Sequence, residues 1–315
     1  MINKIDSGNG KRLRNDPQAF SSFIASFPDI DTIRQVEYSI NGKLKEKRGG
    51  FMTLNFCSFA SGSSGNCYMV RCGDTALLVD AGISGKRIFE GLERTETPLE
   101  QVKGLLITHE HIDHVKSIPI VTKKAPTIRA YANAATWANI ERKVAEEKKA
   151  LFTTGEDFSI GGIRIRPFAI PHDAAEPVGF SFYAADRQIS IVTDAGCITD
   201  TIFQEIMDAD LLVLEANHEV EVLQMCNYPY QTKRRILGDK GHLSNVTAGK
   251  CICRLMEAKD KARRILLGHL SHQNNEPELA KMTIGNILQE EEIYIGGRLK
   301  MDVILRDRIS PVYEV

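Results

Sequence analysis

The sequence predicts an α/β fold of two sheets covered by helices, with loops that carry metal ligands. Three observations point there. Beyond residue 51, short apolar runs of strand length alternate with segments of helical periodicity. Several of these runs stop directly at histidine or aspartate. One of them, Gly104-Leu105-Leu106-Ile107, opens into Thr108-His109-Glu110-His111-Ile112-Asp113-His114, which packs three histidines and Asp113 into six positions.

The elements follow in order. Strands are expected at 54–60, 67–71 and 76–79, the first two joined through Ser61-Gly62-Ser63-Ser64-Gly65-Asn66. A helix over 84–94 turns Ile88, Phe89 and Leu92 inward. Strand 104–107 leads into the histidine cluster, and a helix follows over 133–148. Strands at 163–170, 178–184 and 188–193 precede a helix at about 199–208 and the apolar strand 211–214. Ser244 suits the N-cap of a helix with Ala248, Ile252 and Leu255 on one face. Strand 265–267, a helix with Pro277 in its first turn, and strands at 293–295 and 303–305 complete the series.

Residues 1–51 read differently. They are polar and weakly periodic, and end in Lys45-Glu46-Lys47-Arg48-Gly49-Gly50, which suggests a disordered or loosely attached extension before a hydrolase domain at 52–315. Arg48-Gly49-Gly50 can also be encoded by a purine-rich run resembling a ribosome-binding site, which would make Met52 the start and 1–51 a mis-assignment. No apolar stretch nears the roughly 20 residues of a membrane span, so no membrane partner is expected. Seven cysteines without a CxxC pair suit reduced thiols in a cytoplasmic protein. The net charge of −1 provides no global basic field for nucleic acid. Two bound divalent ions would add about +4 locally and attract phosphate without one.

His109 and His111 are two apart, so a turning backbone can aim both at one ion. Asp113 and His114 follow closely enough to hold a second. Imidazole with carboxylate suits zinc, manganese or iron rather than calcium or magnesium. His172 follows Phe168-Ala169-Ile170-Pro171, Asp194 follows 189–193, and His269 follows Ile265-Leu266-Leu267-Gly268. Each is thus a strand-end residue that one edge of a sheet could gather.

The series HxHxDH, then His, Asp and His resembles that of the metallo-β-lactamase fold superfamily, which implies an αββα sandwich of two mixed sheets. By that resemblance His109, His111 and His172 hold one metal, Asp113, His114 and His269 hold the other, and Asp194 bridges them. His114, and aspartate rather than cysteine at 194, point to the dinuclear hydrolase and nuclease branches. The segments 60–66 (ASGSSGN), 78–82 (LVDAG), 171–174 (PHDA), 241–245 (GHLSN), 268–271 (GHLS) and 274–279 (NNEPEL) are similar to those of the WalJ/YycJ (VicX) family. That resemblance covers 52 to about 290 and implies a bacterial metallo-hydrolase acting as a 5′-to-3′ exonuclease on DNA.

Two divalent ions about 3.5–4 Å apart can bridge a water, bring its pKa toward neutrality and supply hydroxide as the nucleophile. The leaving alkoxide then needs a proton from outside the ligand set. His242, in Gly241-His242-Leu243-Ser244-Asn245, is the candidate, oriented by Glu215 at the end of strand 211–214; the pair resembles one in ribonuclease Z. With Asp113 they form the expected catalytic group. A plain helix-capping role for His242, or an exchange in which His242 is the ligand and His269 is not, remains open at this level. Asp80 either anchors a ligand histidine or closes a turn. Asp173 either orients substrate or bonds within its loop, and the Ser61–Asn66 loop either offers N–H groups to phosphate or is a hairpin turn. Tyr228, Tyr230, Lys233, Arg234 and Arg235 join rings to charge, as a nucleic-acid contact or a solvated helix face. His218 and His272 read as surface or support residues. A ribonuclease Z-like RNA nuclease and a thioester or lactone hydrolase are the alternative functions.

Overall fold

The computed structural model describes residues 53–125 and 127–315, with two short strands near the N-terminus. The chain divides into two units, Met1–Phe51 and Met52–Val315. In the first, β1 (Glu37–Tyr38) and β2 (Leu44–Lys45) pair antiparallel. The rest of 1–51, and with it the expected disorder or alternative start, lies outside the described residues.

The second unit opens with β3 (Leu54–Ala60), β4 (Cys67–Cys72), β5 (Thr75–Val79), α1 (Gly85–Arg94) and β6 (Val102–Leu106). Then come α2 (Ile112–Val115), α3 (Ile118–Lys124), β7 (Arg129–Ala132), α4 (Ala134–Asn139) and β8 (Lys149–Leu151). Strands β9 (Phe158–Ile160), β10 (Ile163–Ala169), β11 (Val178–Ala184) and β12 (Arg187–Val192) lead to α5 (Asp200–Ile206) and β13 (Leu211–Glu215). Helices α6 (Val220–Met225), α7 (Tyr230–Leu237) and α8 (Asn245–Ala258) precede β14 (Arg263–Gly268), α9 (Pro277–Glu290), β15 (Leu299–Val303) and β16 (Tyr313–Glu314).

Two mixed seven-stranded sheets result, in the orders β16-β3-β4-β5-β6-β7-β8 and β15-β14-β13-β12-β11-β10-β9. The side-chain period of two explains the layering. Leu211 and Val213 of β13 join Leu77 and Val79 of β5 in a core between the sheets. Their neighbours Leu212 and Leu214 face outward into a second core with Ile202, Ile252 and Ile284 of the helices, and Leu78 faces a third with Ile88 and Ile118. Strands buried on both faces need continuous apolar runs, and Leu-Leu-Val-Leu in β13 is such a run. The expected sandwich of two sheets flanked by helices is therefore the observed fold. Among the described residues, no helix is long and apolar enough to cross a membrane.

Strand direction gathers the site. β12, β13 and β14 run parallel, and β10 is brought into the same direction by two antiparallel pairings through β11. In the other sheet β5 and β6 are parallel. Residues just past the C-terminal ends of these strands therefore collect at one edge of each sheet, where ligands bind in open α/β sheets.

Three expectations are corrected. The helix over 133–148 stops at Asn139; a 3-10 turn at Glu146–Lys148 and the edge strand β8 replace its second half. Residues 141–148 favour helix by composition, but Val144 is their only buried apolar side chain, so no stripe could seat such a helix. Pairing of β8 with β7 and a bond from Trp137 Nε1 to Ala150 O (2.9 Å) prevail instead. Residues 293–295 are not a strand either: Ile293 N donates to Leu288 O (2.8 Å) past Glu292 at φ 56°, a left-handed close to α9. The expected strand at 303–305 is displaced as well: the strand there is β15, Leu299–Val303, and Ile304 and Leu305 lie past its end.

Candidate metal centre

Four of the expected ligands lie just past a strand, and the other three on the short helix that follows the first of them. His109 follows β6, His172 follows β10, Asp194 follows β12 and His269 follows β14; His111 caps α2, which carries Asp113 and His114. Asp80, Asp194 and His269 have φ of 60°, 59° and 56°. The left-handed region is tolerated best by such short polar residues, and here it lets the chain turn back over the sheet edge. Gly82 allows a close approach: a Cβ there would lie 1.5 Å from Asp113 O. Asn66 N also donates to Asp113 O (2.8 Å), and Ala81 N to His114 O (2.7 Å), so the histidine loop is clamped from behind.

Every imidazole of the centre except His111 is oriented through the ring nitrogen that faces away from it. His114 Nδ1 lies 2.7 Å from Asp80 Oδ2, and Asp80 in turn accepts from Thr108 N (2.9 Å). His172 Nδ1 donates to Gly241 O (3.2 Å), and His109 Nδ1 meets Thr108 Oγ1 (3.0 Å). His269 Nδ1 and His242 Nδ1 both lie 2.8 Å from Glu215 Oε1. Glu215 is fully buried, and its Oε2 accepts from Ala195 N (2.8 Å) and Leu243 N (3.3 Å).

The inward atoms converge. His109 Nε2 and His111 Nδ1 are 3.0 Å apart, and ligand atoms of His109, His111 and His172 lie within 4.8 Å of one another. Those of Asp113, His114 and His269 do the same. Asp194 reaches both groups, with Oδ2 3.4 Å from His114 Nε2, and with Oδ1 3.4 Å from His269 Nε2 and 4.0 Å from His172 Nε2. Asp194 Oδ2 and His269 Nε2 are buried without a hydrogen-bond partner. Orphaned acceptors and ring nitrogens facing one point, in an imidazole and carboxylate set, fit divalent transition-metal ions.

Burial and neighbouring charge set the proton affinity of each group in the metal-free protein. Burial drives His109 well below the ordinary imidazole range, aided by the other histidines, which keeps it neutral and able to ligate. Burial also opposes a proton on His114, but Asp80, Asp113 and Asp194 outweigh it and raise its pKa well above normal. His269 rises to about 9 against burial, through Asp194 and Glu215. Glu215 is held below the usual carboxylate range because His242 and His269 overcome its burial.

His242 lies at the wall of a cleft of about 300 Å³ that is also lined by His111, Asp113, His172, Asp194 and His269. Its Nδ1 is occupied by Glu215 and is 3.8 Å from Asp194 Oδ1, whereas the fully buried His269 reaches Asp194 through Nε2. Ser244 does cap α8, accepting from Thr247 N (3.1 Å), so His242 is not needed as the cap.

Several support residues sit apart from their sequence readings. Glu215 serves two histidines rather than one. The Ser61–Asn66 loop turns its groups inward: Gly62 N donates to Asn66 Oδ1 (2.8 Å), and Ser61 Oγ accepts from His269 N (2.8 Å). Asn66 Nδ2 lies 3.1 Å from His114 Nε2, and Asn217 Nδ2 donates to His269 O (3.0 Å). Asn66 and Asn217 lie next to strand ends or ligand motifs, but nothing in a single chain separates them from ordinary turn residues. His218 is buried and His272 is exposed.

A family model described as a β-lactamase superfamily domain matches residues 75–270. The chain is 37% identical over 248 residues to exodeoxyribonuclease YycJ of Bacillus anthracis, covering 78% of this chain and 93% of that protein. It is 36% identical over 267 residues to exodeoxyribonuclease WalJ of Streptococcus pneumoniae, covering 83% and 98% respectively. Among solved structures, the metallo-β-lactamase fold protein YhfI from Bacillus subtilis matches with a TM-score of 0.64 at 16% identity, over 84% of this chain and all of that one, a likeness of fold.

Proposed function

The chain belongs to the β-lactamase superfamily domain family, among the relatives of the exodeoxyribonucleases YycJ and WalJ, and from that premise we propose that it is a metal-dependent exodeoxyribonuclease that degrades DNA from a 5′ end. The observation that carries the chemistry is the pair of ligand triads on either side of Asp194, open to a cleft beside His242. His109, His111 and His172 would hold one ion, and Asp113, His114 and His269 a second, with Asp194 shared. Zinc is the favoured metal, with manganese or iron as alternatives. Two such ions, when bound, activate water at neutral pH and neutralise charge on a phosphodiester.

The protein residues do the rest. Asp80, Glu215, Thr108 and the Gly241 carbonyl hold the imidazoles in the tautomer that leaves the inward nitrogen unprotonated once an ion is bound. His242 is the proton donor to the leaving oxygen. Its Nδ1 is tied to Glu215, which outweighs the effect of burial and raises its pKa, the direction a proton donor needs. Glu215 is the positioning residue for both His242 and His269.

The test uses purified protein of measured metal content on 5′-labelled and 3′-labelled duplex DNA, precursor tRNA and a thioester. Release of 5′-terminal nucleotides is expected to dominate. Turnover of the thioester alone, or of precursor tRNA alone, would overturn the assignment.

A further inference from the structure

The basic run Lys233-Arg234-Arg235 does not act as one surface. Lys233 Nζ donates to Gln224 O (2.7 Å), and Arg234 lies over the Tyr230 ring, which is 74% exposed. Arg235 alone of the three lines the cleft, together with Thr232 one turn before it and Tyr228. Its Nε bonds Asp173 Oδ2, and Asp173 Oδ1 lies 3.3 Å from His172 Nε2. The other side is fixed by the chain: His242 N donates to Ile236 O (3.0 Å), and a Cβ at Gly241 would lie 2.3 Å from Arg235 O. The turn that places His242 and holds His172 through Gly241 O therefore also places Arg235.

Such tethering leaves a side chain with one edge paired and the other presented. No hydrogen bond or ion pair engages the Nη atoms of Arg235 among the described residues. A guanidinium fixed at Nε and open at Nη matches the planar, two-point recognition of a phosphate better than a lysine would. We propose that Arg235, held by Asp173, is the phosphate-binding residue of the cleft and fixes the preference for a phosphodiester over a neutral carboxyl ester. Tyr228, which also lines the cleft, offers a ring for an adjoining base to stack on. This rests on the nuclease reading and names the residue that gives it substrate selectivity.

The test compares wild type, Arg235→Ala, Arg235→Lys and Asp173→Asn. Binding of fluorescent DNA is measured by anisotropy in EDTA, where no cleavage occurs, as a function of salt; metal content and steady-state cleavage are measured separately. Arg235→Ala is expected to keep its metal and weaken DNA binding roughly 10- to 100-fold. Its slope of log affinity against log salt should fall by about 1. Lysine should restore the salt slope but only part of the cleavage rate, and Asp173→Asn should raise KM more than it lowers kcat. Unchanged DNA affinity and salt slope in Arg235→Ala would overturn the proposal, as would loss of bound metal, which would make the residue structural. If wild type itself fails to cleave DNA, the nuclease reading falls; if wild type cleaves and Arg235→Ala matches it, only the role of Arg235 falls.

Discussion

Replacing Glu215 by glutamine changes one atom and should disable both the fold near the site and the ligand it supports. The carboxylate is fully buried and accepts four hydrogen bonds, from His242 Nδ1, His269 Nδ1, Ala195 N and Leu243 N. All four partners are donors, so the amide can satisfy at most those that reach its single oxygen, and its NH₂ group faces further N–H groups. Removing the charged partner of a buried pair costs about 3–5 kcal/mol. His269 can escape by moving its proton from Nδ1 to Nε2, but that blocks the atom aimed at Asp194. Metal affinity should fall roughly 10- to 100-fold, the usual effect of losing such a support residue. Metal-free Glu215→Gln protein should melt roughly 6–12 °C below wild type, from about 3 kcal/mol spread over a unit of this size. Calorimetry in EDTA and zinc competition against a chromophoric chelator measure the two effects. A variant within 1 °C of wild type and with unchanged zinc affinity would refute the reasoning.

Other outcomes follow from the same geometry. His242→Ala should retain wild-type metal content while cleavage falls about 10²- to 10⁴-fold, as elemental analysis and end-labelled DNA would show. Asp194→Ala should lose bound metal, because the carboxylate lies 3.4 Å from His114 and His269 of one triad and 4.0 Å from His172 of the other; retention of a full complement on elemental analysis would count against its shared role. His269 has a folded pKa of about 9, above its unfolded value, so its contribution to the metal-free fold is complete below about 6.5 and lost as pH climbs to 9. Thermal melts in EDTA should therefore decline over that interval, while zinc affinity rises because the same proton must leave before the ion binds.

Much of the site was legible because its ligands are local in sequence or follow obvious strands. His109, His111, Asp113 and His114 are contiguous, and His172, Asp194 and His269 each follow an apolar run that could hardly be anything but a strand. The residues that orient them were less visible. Asp80 and Asn66 reach His114 only because β4, β5 and β6 adjoin, and the bond from Glu215 to His269 follows from the pairing of β13 with β14, while His242 reaches the same carboxylate from the turn before α8. Arg235 was indistinguishable from Lys233 and Arg234 until the turn at 238–242 fixed which helix face meets the cleft. The short strands β7, β8 and β9 have too few residues to display a period, and local helix propensity over 141–148 misled where no apolar stripe existed to be buried. The two-sheet architecture itself survived these misses, since the central strands carry the continuous apolar runs that only a doubly covered sheet can bury.

Metal titration of the stripped protein probes the proposed two-ion nuclease centre most directly. Chelated enzyme should be inactive on duplex DNA with a labelled 5′ end. Cleavage should return with added zinc or manganese and reach its plateau at two ions per chain. Full activity in the stripped protein, or a plateau at a single ion, would contradict a centre in which Asp194 is shared between two triads.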